Sequence, residues 1–303
     1  MADNKYYYGG QAVIEGVMMR GKDNMVTAVR RPNGEIGLEA QQLSPLYSGK
    51  WRKTPLARGV IVLIESLVLG IKTLMYSANV ALEEEKEQLS GWAVWAILLP
   101  SLAFAVAIFF VLPLFITNFF SAHFASSILF NFVEGIIRLG IFLGYLVVIS
   151  RMKDIKRVFA YHGAEHKAVN AYEAGVPLEI ESARPFSTAH VRCGTSFLFA
   201  VLVIAIIVFS FIGKPNIGVM AVSRILLLPV IAAIGYEFTY FSARHVKNPV
   251  VRTLLTPGLW IQKLTTREPD DRQLEVALAA LKKVVEIEQP QTAVAPQVLA
   301  PVP

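Results

Sequence analysis

WAVWAILLPSLAFAVAIFFVLPLFIT, Trp92 to Thr117, decides the fold. A bilayer core about 30 Å thick is crossed by a helix of roughly 20 apolar residues rising 1.5 Å each, and this run exceeds that length without one charge. Three more stretches follow: Ile128 to Ile149, carrying only Glu134 and Arg138; Phe197 to Gly213; and Gly218 to Phe241, carrying Arg224 and Glu237. The polar joints within each pair are short, Asn118 to Ser127 and Lys214 to Ile217. The expected fold class is an α-helical polytopic membrane protein with four transmembrane helices in two hairpins.

Composition agrees. The 303 residues are 54% hydrophobic and only 17% charged, with a mean hydropathy of +0.49. Soluble domains usually carry roughly 25% charge, so much of this apolar surface must face lipid. A soluble enzyme and a disordered chain are thereby excluded. So is a disulfide-stapled secreted domain, because Cys193 is the only cysteine.

Leu56 to Leu82 is apolar as well, but Arg58, Glu65, Lys72 and Asn79 recur every seventh residue and form one polar stripe. The pattern fits a helix lying in the membrane interface, or one buried with its stripe toward protein. Crossing lipid would bury both Glu65 and Lys72, at roughly 3 kcal/mol each. A non-spanning helix is therefore expected.

Lys and Arg total 29, with 11 in residues 1–91, 7 in 151–195 and 8 in 244–303. Four spans with both termini and the long central loop in the cytoplasm place 26 of them inside, as the positive-inside bias requires. The expected location is the plasma membrane, multi-pass, with the long loops cytoplasmic. The net charge of +6 then reflects topology and favours anionic headgroups. No basic groove module with interleaved aromatics points to nucleic acid. Met1 to Gly10 is polar and tyrosine-rich, so no cleavable signal peptide is expected.

The chain divides accordingly. Residues 1–55 form a cytosolic glycine-rich segment with a β-hairpin, its turn at Pro32-Asn33-Gly34. Residues 56–91 hold the interfacial helix, 92–149 the first transmembrane hairpin, 150–196 a cytosolic loop and 197–243 the second hairpin. Residues 244–288 form a cytosolic helical segment, with Leu274, Leu278, Leu281 and Val285 at helical spacing. Residues 289–303, rich in Pro, Ala, Val and Gln, are expected to be disordered.

The central loop carries the chemistry, in Tyr161-His162-Gly163-Ala164-Glu165-His166-Lys167. On a helix His162 and His166 lie one turn apart and can reach a single ion, with Glu165 on the flank of the same face. The order H-x-x-E-H is that of some zinc peptidases, in which the glutamate is the general base. Further ligand candidates are His190 and Cys193, in His190-Val191-Arg192-Cys193-Gly194. Histidines with a cysteine favour zinc over magnesium. Glu173 shares the helix face but lies about 16 Å along it from His162, which suits a substrate-facing or supporting position. Arg192, Glu15 and Glu237 are candidates of the same kind, Glu237 pairing with Arg244 or reaching the histidines. Cys193 as nucleophile with a histidine base uses the same atoms. Histidines that serve structure alone are the other reading. His123 and His245 read as solvated interface residues.

Several motifs carry a family resemblance. They are Gly9-Gly10-Gln11-Ala12-Val13-Ile14-Glu15-Gly16-Val17-Met18-Met19-Arg20-Gly21, Arg58-Gly59 with Glu65-Ser66-Leu67, Tyr161 to Glu173, and His190 to Phe197. Pro257-Gly258-Leu259-Trp260 and Thr265-Thr266-Arg267-Glu268-Pro269 complete the set. Over about residues 5–287 the chain resembles the YqhQ family of uncharacterised bacterial inner-membrane proteins. The resemblance implies a membrane location and metal dependence, the latter resting on the same histidine motif. Val191 stands where the family pattern has proline, which frees a backbone angle beside His190.

Three functions follow as expectations. The first is a metal site, of zinc type, at the cytosolic membrane face, with Glu165 as base for hydrolysis of a lipid-borne or membrane-protein substrate. The second is a non-catalytic scaffold binding a cytosolic or membrane partner. The third is a transporter, disfavoured because the intramembrane charges are few and no broken-helix repeat is evident.

Overall fold

The computed structural model describes residues 8–82, 91–213 and 216–289. Of the expected tail 289–303, all but Gln289 lies outside them.

The N-terminal segment is more than a hairpin. Strands β1 (Gly9–Val13), β2 (Gly16–Arg20), β3 (Asn24–Arg30) and β4 (Ile36–Gln42) form a four-stranded antiparallel meander in the order β1-β2-β3-β4. The glycine-rich run supplies β1 and β2, registered Val13 against Gly16 and Gly9 against Arg20. Ile14 and Glu15 make the tight turn between them, and Glu15 takes a left-handed φ of 53°. Hydrophobic residues run continuously through β2 and β3 because both faces of the sheet are covered, which hides the alternation that reveals a half-exposed strand. Val17, Met19, Val26 and Ala28 point to one face, and Met18, Met25, Val13 and Val29 to the other.

The helices follow in chain order. A single turn, α1 (Pro45–Ser48), leads to α2 (Ala57–Ala81). The helices α3 (Gly91–Val106) and α4 (Leu112–Phe119) are joined through a π turn, Ala107–Val111, and α5 (Ser127–Ile149) returns. Next come α6 (Lys153–Ala174), the one-turn α7 (Ile180–Ala183) and α8 (Gly194–Ser210). The chain ends through α9 (Ile217–Leu226), α10 (Leu228–Arg244), α11 (Pro249–Thr265) and α12 (Asp271–Glu288).

The chain is an α-helical membrane protein. Among the described residues Ala57–Ala81, Trp92–Phe119 and Ser127–Ile149 are each long and apolar enough to cross a bilayer. The pair α9 and α10 qualifies as one span bent by 44°. The last expected span is therefore broken, at Leu227 with Pro229 just inside α10, because proline cannot donate to the preceding turn. Helix α8 has 17 residues, about 25 Å of helix. It packs between α5 and α10.

Helix α2 meets the length criterion yet lies along the second face of the sheet. Ile61, Glu65, Leu69, Thr73, Ser77 and Val80, spaced four, four, four, four and three, are buried there. Ser77 Oγ accepts from the Ile14 amide, and Thr73 Oγ1 accepts from Gln11 Nε2. Glu65 is held by Arg20 at 2.8 Å and by Arg52. Lys72 of the same stripe is exposed. The first face of the sheet packs on α6 and α12, where Leu274, Leu278 and Leu281 join Ala164, Ala168 and Ala171. The segment 244–288 is thus two helices, and only α12 belongs to this layer. It opens with a capping box, Asp270 accepting from the Gln273 amide and Gln273 returning the bond.

Removing Glu65 strands two guanidinium groups beneath α2. Glu65→Ala should cost on the order of 3 kcal/mol, read as a lowered unfolding midpoint of the detergent-solubilised protein. Lys72→Ala should change it by less than about 0.5 kcal/mol.

Candidate functional site

Helix α6 carries the histidine motif through a buried part of the molecule. It lacks a side-chain N-cap, has Asp154 in its first turn, and stops at Gly175, whose φ of 74° lets the chain turn away. Between Ala160 and Ala171 it is buried on nearly every side, by the sheet and α12 on one flank and by two passing chain segments on the other. One of these is the segment after α11. Its Arg267 amide bonds to Phe159 O at 2.9 Å. A Cβ on Gly163 would overlap the Arg267 carbonyl oxygen, so only glycine lets the two backbones approach this closely.

Those passing segments orient the imidazoles. His162 Nδ1 lies 2.8 Å from Thr265 O, and His166 Nδ1 lies 2.6 Å from Thr188 O. A carbonyl accepts only from N–H, so each Nδ1 carries a proton, and in the neutral ring each Nε2 presents its lone pair. The rings stand 4.4 Å apart. Cys193 Sγ lies 3.3 Å from His162 Nε2. One donor atom each from His162, His166 and Cys193 falls within 4.8 Å of the others. That is a grouping able to hold a metal ion. Cys193 is also the N-cap of α8, its sulfur accepting from the Thr195 amide.

Glu165 is buried, with one carboxyl oxygen 3.4 Å from His166 Nε2. With His166 Nδ1 already engaged as donor, that contact sets a lone pair against a carboxyl oxygen. Only a proton or a cation between them makes it favourable.

His190 stands beside this group rather than in it. Its ring is 5.7 Å from that of His166. Its Nδ1 accepts from the Arg192 amide at 3.4 Å, and among the described residues its Nε2 has no hydrogen-bond partner, with Glu173 Oε2 3.6 Å away. Burial pushes the His190 pKa below the usual histidine value, the field of Glu165 opposing this in part, so the ring is neutral near neutral pH. Gln262 fixes the His190 backbone from α11, accepting from its amide and donating to its carbonyl, each at 2.9 Å. Glu173, out of reach of His162 as its spacing requires, pairs with Arg192.

Two sequence-based candidates lie elsewhere. Glu237 neither pairs with Arg244 nor reaches the histidines; it takes Arg58 and the Leu56 amide, because α2 crosses α10 at that level. Arg244 instead stacks over Tyr240. Glu15 pairs with Arg157 and accepts from the Tyr161 hydroxyl at 3.3 Å, on the sheet side of α6. His123 and His245 lie against Phe120 and Phe241.

Sequence reasoning missed Gln262 and the carbonyls of Thr188 and Thr265. Thr265 lies in a quoted motif, but a carbonyl's direction is set by backbone geometry and leaves no residue-type signal. Lys167, the last residue of the histidine motif, is buried, bonded to Arg184 O and paired with Glu268 at 2.6 Å.

What these features define is a membrane protein with a buried His/Cys donor cluster at the sheet-bearing end of its helices. The chain matches, over residues 54–287, the family model described as a protein of unknown function, DUF1385. It belongs to that family. It is similar to the uncharacterized protein YqhQ of Bacillus subtilis (strain 168), 33% identical over 297 residues that cover 93% of each chain. No solved structure matches. The motif resemblance to YqhQ therefore holds, while neither name carries a metal or an activity.

Gly163→Ala should force the Arg267 backbone away from α6, at a cost of about 1–3 kcal/mol. The expected readout is faster amide exchange at Arg267 with unchanged exchange in α5.

Proposed function

We propose that the protein is a membrane-bound, metal-dependent hydrolase whose ligands are His162 Nε2, His166 Nε2 and Cys193 Sγ. The observation that carries this is the convergence of two imidazole lone pairs, each fixed by a carbonyl behind it, on one buried sulfur. Two nitrogens and a sulfur suit zinc. The facing acceptors of His166 and Glu165 are relieved by a cation at that position. Such an ion would supply Lewis-acid activation of water. Glu165, outside the tight donor group but in contact with His166, is placed to accept the proton as general base. His190, neutral and with its Nε2 unbonded among the described residues, is placed to donate to a developing negative charge, and the Arg192 amide and Gln262 hold it. The substrate is lipid-borne or a membrane protein, because the cluster lies where α8 begins, at one end of the apolar helices.

Four spans are proposed, at 92–119, 127–149, 194–213 and 217–244, in the plasma membrane with the sheet and both termini cytoplasmic. The distribution of basic residues supports this orientation. Helix α2 is read as non-spanning because its buried stripe, including Glu65, Thr73 and Ser77, faces the sheet.

A second reading has Cys193 as nucleophile and His162 as base. It is favoured by the 3.3 Å contact and by the position of the sulfur at the N-terminus of α8.

Elemental analysis of the purified protein separates these readings. About one zinc per chain is expected, lost in His162→Ala, His166→Ala and Cys193→Ala and kept in Glu165→Gln and His190→Gln. A folded wild type that holds no zinc after incubation with the ion and desalting would rule the metal reading out. Alkylation of Cys193 should be slowed by added zinc and restored by chelation. Equal rates with and without zinc would favour the nucleophile.

A further inference from the structure

Helix α11 presents three distinct faces. Val251, Leu255, Gly258, Gln262 and Thr265, spaced four, three, four and three, are buried against the protein. A Cβ on Gly258 would come within 3.1 Å of Ser196 Cβ, so α11 crosses α8 at its first turn. At 100° per residue Leu254 and Val250 fall to one side of that buried face and Trp260 opposite it, an arc of about 120°, and they are 57%, 66% and 64% exposed. Arg252 and Lys263 fall on the other side, next to Trp260 and nearly superposed in projection, and both are exposed. Among the described residues neither makes an ion pair, nor does Lys247 just ahead of the helix. Elsewhere basic side chains that approach the membrane helices are engaged: Arg58 with Glu237, Arg20 and Arg52 with Glu65, and Arg244 over Tyr240.

An exposed apolar arc with a tryptophan at one edge, bordered at that edge by basic residues that make no ion pair among the described residues, matches the chemistry of an acidic phospholipid surface. Position agrees, because α11 starts five residues after the last membrane helix ends at Arg244. We propose that α11 is a membrane-surface helix. Val250, Leu254 and Trp260 enter the boundary between acyl chains and head groups, and Lys247, Arg252 and Lys263 contact acidic phosphates. Gln262 and Thr265, which position His190 and His162, are thereby tied to the lipid–water boundary. This deepens the hydrolase reading by setting the cluster at head-group depth. The claim about α11 itself stands or falls without the metal.

The test uses the full chain in a Cys193→Ser background, reconstituted in phosphatidylcholine–phosphatidylglycerol vesicles. Nitroxide labels are placed at Leu254→Cys and Arg252→Cys. The label at 254 should relax faster with oxygen than with a soluble nickel chelate, and the label at 252 should show the reverse. Greater nickel access at 254, or protection there from both agents as under a covering protein, would overturn the proposal. With Trp51, Trp92 and Trp95 changed to Phe, Trp260 emission should be quenched more by brominated phosphatidylglycerol than by brominated phosphatidylcholine. That preference should vanish in R252Q/K263Q. Equal quenching by the two lipids in the parent would overturn the acidic-lipid assignment. Zinc content of the parent chain, with Cys193 intact, is a separate measurement and bears only on the hydrolase reading.

Discussion

Two backbone carbonyls, Thr188 O and Thr265 O, hold the centre of this molecule in order. Each engages the Nδ1 of one histidine on α6 and turns the opposite nitrogen toward Cys193. Without them, His162 and His166 would be two polar side chains a turn apart, free to rotate and to choose either tautomer. With them, the direction of each lone pair is set by main chain, which a change of neighbouring side chain does not move. The bond to Thr265 requires α6 and the segment after α11 to approach at Gly163, where no other residue leaves room.

The sheet matters to the site through this arrangement. It covers one flank of α6 with Val17, Met19, Val26 and Ala28, and α12 closes the same core with Leu274, Leu278 and Leu281. Its reverse face carries α2 and so anchors this layer to α10 through Arg58 and Glu237. Among the described residues, the charges buried between the membrane helices are paired. Glu134 serves both Arg138 and, at 3.2 Å, Arg224 from the broken span, with Asn131 completing the group. An ionised group in hydrocarbon is tolerated only with such partners.

Legibility followed the range of the interaction. Apolar runs long enough to span a bilayer need no tertiary information, because lipid imposes the length and the absence of charge. The pairing of Glu134 with Arg138 is equally local, one helical turn. The meander escaped because β2 and β3 are buried on both faces, which erases period-two alternation. Broken helicity at Leu227 was masked by the apolar residues on either side of it. Arg224 as partner of Glu134, and Arg58 as partner of Glu237, join residues 90 and 179 apart in sequence, and no periodicity reports such distances.

By itself, then, the sequence determined a lipid-embedded helical protein and a helix with two histidines and a glutamate on neighbouring positions. Those features depend on hydrophobic length and on the 3.6-residue turn, both properties of a chain read in order. Tertiary structure alone decided that Cys193 joins the two histidines while His190 stands aside, and which nitrogen of each ring faces inward. Side-chain direction at a junction of α6, α8 and α11 depends on backbone carbonyls delivered from distant segments, and a carbonyl belongs to every residue alike.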